Sequence, residues 1–561
     1  MSNTEPRMQA PAEADYVPCA PLDGQQLKGF IEASLTWLKT NQQLVNMLNV
    51  FPVPDGDTGT NMVLTMQAAY NEIAGSGERN AGKMAHMVAQ GALMGARGNS
   101  GVILSQILRG FARALDNLDT MDGKALVDAL REGKTTAYKG VVRPVEGTIL
   151  TVAKDMAACG ETALAENHNL GYILQRVVEG ADRSVRSTPE LLPILKSAGV
   201  VDSGGKGLFF ILDGMLRHVK GLPLDVATAA VTPLSQMKLE NSLEAIEPGQ
   251  DFEVVVDFQP KNSLELDRFY NELAQIGSSI QVGEGDGIYR MHIHVPTEKL
   301  YDPIEYTRNI GTVTRVTIEN LRAQIEDVTE ESRPHLTLTP VEPGQIATIC
   351  VSPGAGISRI FASLGASGIV HGGQTMNPST EEILGAFENL PTDRIIILPN
   401  NKNIVMAAQS AKSLTVKQVK IVPTYSVPQG LAAMLRLAPD GDLNEIYAEM
   451  NAAMAEVITG EITTATRSVE MNGVQVQQGQ VIALLDGKLV YSATNVDEAC
   501  LGLLAKAHAD DHERITLFYG SNFSKTDVNV LSDKIRSVYP SQELEVHEGD
   551  QPHYQLIISI E

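Results

Sequence analysis

The chain has 561 residues, a formal net charge of -24 at pH 7 and an ordinary apolar content of 43%. That length exceeds what one hydrophobic core organises, so two to four domains are expected. The acidic balance excludes a nucleic-acid groove, which needs clustered Lys and Arg, and an electrostatic hold on a membrane surface.

The first 22 residues are rich in Pro, Ala and Glu and read as a disordered tail without the apolar stretch of a secretory signal. No run of about 18 apolar residues occurs, so no membrane span is expected. Cys19, Cys159, Cys350 and Cys500 lie far apart with no C-x-x-C pair, which fits unbridged thiols in the cytoplasm. From Gln25 to Leu48 the residues Leu27, Phe30, Ile31, Leu35 and Leu38 recur at helical spacing. The same periodicity predicts helices over 62–73, 84–94, 102–115, 124–138, 149–159, 170–187 and 208–219. Residues 23–221 therefore read as one all-helical domain.

A Pro/Thr/Ala/Ser-rich linker, 222–250, follows. FEVVVDF (252–258), then 279–282 and 289–295, read as strands; 264–276 and 303–309 read as helices. A small α+β domain of the split β-α-β kind fits 251–328. After a second linker, 329–344, with Pro334, Pro340 and Pro343, short apolar runs ending in Gly, Pro or Asn alternate with helical stretches. Residues 345–561 thus read as an α/β domain on a parallel sheet, with a helix over 442–458 and a hairpin on Asn472-Gly473.

The chemistry concentrates in loops of the helical region. NVFPVPDGDTGTNM, 49–62, sets Asp55 and Asp57 on either side of a glycine. Pro52 and Pro54 keep the approach non-helical, and two acids on one stiff loop can converge on magnesium, which prefers carboxylate, water and phosphate oxygens. The same residues also suit a turn in which Asp57 or Thr58 caps the next helix. GARGNSGVIL, 95–104, puts glycines at a helix start, where free N–H groups and the helix dipole suit phosphate. VRPVEGTILT (142–151) and VVDSGGKGLFF (200–210) are two more polar loops before helices. There is no Walker A sequence, so a nucleotide site here rests on helix-end loops and a divalent metal.

These four motifs resemble the nucleotide-binding domain of the bacterial fatty acid kinase A-subunit family, itself similar to the ADP-binding subunit of dihydroxyacetone kinase. The resemblance covers residues 25–220 densely. It implies a helical barrel holding ATP and two magnesium ions, and γ-phosphate transfer to a fatty acid carried by a separate lipid-binding B subunit. It assigns Asp55, Asp57 and Asn49 to metal. Thr58, Gly59, Thr60 and Asn61 go to phosphate and metal, and Gly98, Asn99, Ser100 and Gly101 cradle phosphate. Thr148, Asp202, Ser203 and Gly204 border the nucleotide. Arg97, Arg143 and Lys206 lie in the right loops to neutralise the two approaching anions.

In the middle domain His292 and His294, two apart on a strand, face one side and are assigned a catalytic role. In the family this pair goes with a cysteine on the first strand of the domain, a third ligand or reactive group. Here Val255 stands at that position, which argues against a three-residue zinc site, with Glu253 and Asp257 the acids that could substitute. The polar strand ends 352–356, 371–379, 398–403 and 424–430 of the last domain imply, on the same resemblance, a docking face for the B subunit and homodimer contacts. Two rival readings stand beside the kinase: a nucleotide-binding scaffold that regulates partner docking without chemistry, and a kinase for a small ketose.

Overall fold

The computed structural model describes residues 16–50, 56–141, 143–224, 232–233, 252–261, 264–285, 288–320, 336, 338–374, 376–465, 469–471 and 473–561. Asp55 of the first motif, with Pro52 and Pro54, lies outside the described residues, as do most of the first expected linker and half of the second.

Among the described residues the N-terminal domain holds ten helices: α1 (Gly24–Thr40), α2 (Gln42–Met47), α3 (Thr58–Ala74), α4 (Ala81–Met94), α5 (Gly98–Ala114), α6 (Gly123–Gly140), α7 (Ile149–Glu166), α8 (Leu170–Leu191), α9 (Pro193–Ala198) and α10 (Ser203–Lys220). A capping box between Asp23 and Gln26 starts α1. The helix expected over 25–48 breaks in two, because the Asn41 amide donates to the Trp37 carbonyl and competes with the helical ladder. The short α9 was not anticipated; of its six residues only Leu195 is buried, too little for a periodic signal. The helices close a ring: α1 packs on α10, α10 on α8, α8 on α7, and so through α6, α5 and α4 to α3, which returns to α1. Leu27, Phe30, Trp37, Leu38, Met62, Met66, Leu104, Val177 and Phe210 fill it as one apolar cluster. Part of the expected tail is in fact packed on this ring. Leu22 is buried and bridges to Met121, and the Tyr16 ring stands edge-on to Tyr172 at 5.3 Å. Two apolar side chains are enough to order a stretch that composition marked as disordered.

The middle domain runs β2 (Phe252–Pro260), α11 (Leu266–Leu273), β3 (Ser278–Gly285), β4 (Ile288–Val295), α12 (Asp302–Ile310) and β5 (Gly311–Asn320). Its sheet has the order β3-β4-β2-β5 with every neighbour antiparallel, the expected split β-α-β topology; β1 (Thr232–Pro233) adds a parallel edge to β3. Strand alternation divides the faces. Val254, Val256, Phe258, Met291, Ile293 and Val295 pack with Phe269 and Leu273 of α11. Glu253, Val255 and Asp257 point to the opposite face, in register with His294, His292 and Arg290.

Among the described residues the C-terminal domain has two larger sheets and a separate two-stranded hairpin. β6 (Ile346–Ser352), β7 (Gly368–His371), β8 (Arg394–Leu398) and β9 (Gln418–Ile421) form a parallel sheet in the order β7-β6-β8-β9, as the apolar runs led us to expect. Helices Val427–Met434 and Leu443–Met454 lead to a six-stranded mixed sheet built on β10 (Ile458–Thr464) and the last strand, Tyr554–Ile560. The helix predicted over 442–458 stops at Met454, because Ile458 and Ile462 are taken up as strand residues, Ile462 in the core of the second sheet. The hairpin around Gly473 is present, with Val469–Met471 paired antiparallel to Val474–Val476.

Candidate functional site

Four helix starts meet at one place on the ring. The Ser203 hydroxyl at the start of α10 lies 3.2 Å from the Thr58 hydroxyl at the start of α3. A Cβ on Gly98, first residue of α5, would come within 2.7 Å of the Asn61 amide on α3, and Gly98 itself holds φ +56, a conformation that favours glycine. A Cβ on Gly204, the second residue of α10, would come within 3.3 Å of the side chain of Ile149, the first residue of α7. The four starts differ in one respect. Thr148 caps α7 through Leu150 N–H, and Asp202 caps α10 through Gly205 N–H. Asp57 and Arg97, at the N-caps of α3 and α5, make no side-chain cap bond. On α3 the Thr60 N–H is taken by the Asn46 Oδ1 at 3.1 Å; neither N-cap side chain covers the start of its helix, the condition under which a helix end receives an anion.

Asp57 is buried at 7% exposure, and its carboxylate is not spent on the helix it precedes. It accepts at 2.5 Å from the side-chain amide of Asn377, in the C-terminal domain. The Asn377 Oδ1 is buried without a hydrogen-bond partner. Arg97 turns the same way: one guanidinium nitrogen donates to the Asn377 carbonyl at 3.0 Å and another pairs with Glu382 at 3.1 Å. Asn99 donates to Asn403 at 3.0 Å, Thr380 N–H to the Ala96 carbonyl at 3.2 Å, and Ala96 and Val102 join the apolar cluster of Ile404 and Ala407. The loop 371–379, expected to face a partner protein, therefore commits Asn377 to the helical domain of its own chain. Sequence reading missed Asn377 altogether, because nothing local links it to a residue 320 positions away.

The remaining expected residues divide between surroundings and scaffold. Thr58, Asn61, Ser100, Gly101, Ser203 and Gly204 lie at the meeting helix starts. Gly59 sits where a Cβ would strike the Gln42 carbonyl at 2.4 Å, and the Thr60 hydroxyl accepts from Gln42 and Asn46; both face α2. The Thr148 hydroxyl donates to the Val145 carbonyl. The Asp202 carboxyl end is enclosed although the residue as a whole is half-buried. That desolvation pushes its pKa up to about 6, against the bonds from Gly205 and Ile149. Lys206 lies over the Phe209 ring at 4.2 Å and 4.0 Å from Asp182, and desolvation lowers its pKa. Arg143 is exposed on the loop before α7, and Asn49 lies half-buried beyond α2.

A second cluster occupies the polar face of the middle sheet. Glu253, His292 and His294 are buried, with one donor atom from each lying within 4.8 Å of the others. His292 Nδ1 stands 3.6 Å from Glu253 Oε1, and the two imidazole centres are 5.0 Å apart. Desolvation first, then the neighbouring His294, pushes His292 down to about 3, so its ring is neutral. Of the two acids weighed as substitutes for the missing cysteine, Asp257 is taken: Arg290 binds it through two bonds of 2.6 and 2.7 Å. Glu253 faces the histidines, which the sequence could not show without the strand register.

Three family models match in chain order: a DAK2 domain over 52–217, and the FakA-like (fatty acid kinase) middle and C-terminal domains over 247–328 and 347–561. Protein YloV of Bacillus subtilis is 38% identical over 551 residues, 96% of this chain and 99% of that one. The chain belongs to the FakA-like fatty acid kinase family. An uncharacterised protein of Staphylococcus saprophyticus is 36% identical over 96% of this chain and 99% of its own. A Streptococcus pneumoniae fatty acid kinase B3 protein loaded with linoleic acid is similar at 15% identity over 33% of this chain and 76% of that one, with a TM-score of 0.25, too slight a likeness to argue from.

This family membership makes the chain kinase-related and implies ATP with a divalent metal. The residues present fit that group. A buried carboxylate not used as a cap, an unpartnered amide oxygen beside it and two uncapped helix starts form a set of oxygen donors and N–H groups suited to a hard cation and its phosphates. In the C-terminal domain of this family member the strand ends of the parallel sheet meet the second sheet at a small cavity of about 40 Å³, lined by Pro353, Gln374, Asn400, Ser426, Glu461 and Tyr554. Desolvation pushes Glu461 up to about 7 there. Among the described residues no helix is long and apolar enough to cross a membrane.

Proposed function

We propose that this chain is the ATP-binding component of a fatty acid kinase, moving the ATP γ-phosphate to the carboxylate of a fatty acid held by a separate lipid-binding protein. The observation that carries the reading is Asp57, a buried carboxylate placed between two uncapped helix starts in a chain of this family. Asp57, with Asp55 and Asn49 from the same motif, would hold magnesium, whose charge offsets that of the two anions when bound. The starts of α3 and α5 receive phosphate oxygens, Gly98 allowing the backbone close approach. Ser203, Gly204 and Thr148 form the border. Arg97, Arg143 and Lys206 supply the remaining positive charge, and His292 and His294 act from the middle domain. Loading requires the Asn377 amide to leave Asp57 or to turn its oxygen toward the cation. The test is transfer of label from γ-labelled ATP to oleate, with and without a lipid-carrier protein. Acyl phosphate formed only with the carrier is expected; none with any carrier overturns the reading.

One observation favours a second reading. Asn377, Arg97 and Glu382 tie the C-terminal domain to the nucleotide loops. A protein that only senses nucleotide and passes that state to a docked partner would be wired this way. It would bind Mg-ATP and change partner affinity with no acyl phosphate formed.

A further inference from the structure

The geometry points to a divalent transition-metal site in the middle domain, ligated by His292, His294 and Glu253, chemically distinct from the oxygen-donor site around Asp57. The strand register builds it. Glu253 on β2 lies directly across from His294 on β4, and His292 is two residues along the same strand and face. Around a tetrahedral ion bonded at 2.0–2.1 Å, ligand atoms stand about 3.3–3.5 Å apart. His292 Nδ1 and Glu253 Oε1 are already 3.6 Å apart, and all three donors lie within 4.8 Å. Small side-chain rotations close the rest.

A second observation, independent of the spacing, also points to a ligand. His292 is 4% exposed, and neither ring nitrogen has a hydrogen-bond partner. A buried polar group left so is costly, and native proteins pair nearly all of them. The Ser278 hydroxyl, on β3 directly across from His294, is also buried without a partner. Two unpaired polar side chains flank one spot. An anion is excluded there by the Glu253 carboxylate. A magnesium ion is excluded by the donors, since imidazole suits zinc, iron, cobalt or nickel and magnesium takes oxygen. Two imidazoles and one carboxylate are a zinc-type set with a fourth position open to water or the Ser278 hydroxyl. The carboxylate thus supplies the charge that a thiolate would otherwise bring, from two residues along the strand from Val255.

The experiment uses the full chain, stripped with a chelator and reloaded with zinc or cobalt alone. Stoichiometric zinc by plasma mass spectrometry is expected, together with the strong visible bands of four- or five-coordinate cobalt. Glu253→Gln should weaken zinc binding about 10–100-fold and change the cobalt spectrum, and His292→Ala should remove both. Asp57→Asn should leave zinc and cobalt binding unchanged, which separates this site from the nucleotide site. Full zinc affinity in both Glu253→Gln and His292→Ala overturns the assignment. If His292→Ala fails to fold, the wild-type chain decides: a cobalt spectrum like that of the hydrated ion, or no zinc above the buffer blank, overturns it equally.

Discussion

Asp57 and Glu253 are both buried carboxylates next to groups that bind cations, yet the chain arrives at them by opposite routes. Asp57 sits on a loop at a helix start, and its bonding partner comes from a domain more than 300 residues away. Glu253 sits inside a strand, and its neighbours come from the adjacent strand of the same small sheet. The first is surrounded by oxygen donors and open N–H groups, the second by imidazole nitrogens. The difference teaches that the surrounding donors, rather than the acid itself, select the ion: hard magnesium with phosphate in one place, a borderline metal in the other.

The sharpest way to break that contrast is at Asp57. Asp57→Ala should lower Mg-ATP affinity on the order of 100-fold by titration calorimetry while far-UV circular dichroism stays unchanged. Undiminished affinity would remove Asp57 from the metal site. Asp202 tests whether the neighbouring helix start is scaffold. Its folded pKa of about 6 lies above the ordinary carboxyl value, so the folded chain keeps the proton after the unfolded chain has released it. Stability should therefore fall as pH rises from about 4 to about 6 and stay level above. Asp202→Asn keeps the cap, removes the slope, and should be more stable than wild type at pH 7 by about 2 kcal/mol in urea melts, with no gain at pH 4.

Asn377 sharpens the comparison from the other domain. Asn377→Ala releases Asp57 from an amide bond and should tighten Mg-ATP binding up to about tenfold, the worth of one bond to a charged group. Weaker binding would instead make the amide part of the cation's shell. The smallest effect is expected at the α7 start. Thr148→Ala should cost about 1 kcal/mol of stability as a lost helix cap and leave nucleotide affinity within about twofold. A larger loss of affinity would move Thr148 from scaffold to nucleotide contact.

The helices were legible because each buries one stripe at a spacing written in its own residues: Leu27, Phe30, Ile31, Leu35 and Leu38 face the ring, and Gly98 and Asp57 mark the starts. Strand β5 was missed because GTVTRVTIEN is a half-exposed edge strand whose weak alternation follows a helix directly. Where the last domain divides between its two larger sheets was not legible either, since β10 and the last strand, Tyr554–Ile560, pair across nearly 100 residues, a separation no local pattern carries.

What the residues alone determine is local: period, punctuation, and the polar loops where helices begin. Packing and register are matters of long-range complementarity, and only the folded chain decides them. They place Asn377 on Asp57, turn Arg97 toward Glu382, and choose Glu253 over Asp257 to face the histidines. A one-residue shift between β2 and β4 would reverse every side chain on that face, so the second site exists through pairing rather than through any motif.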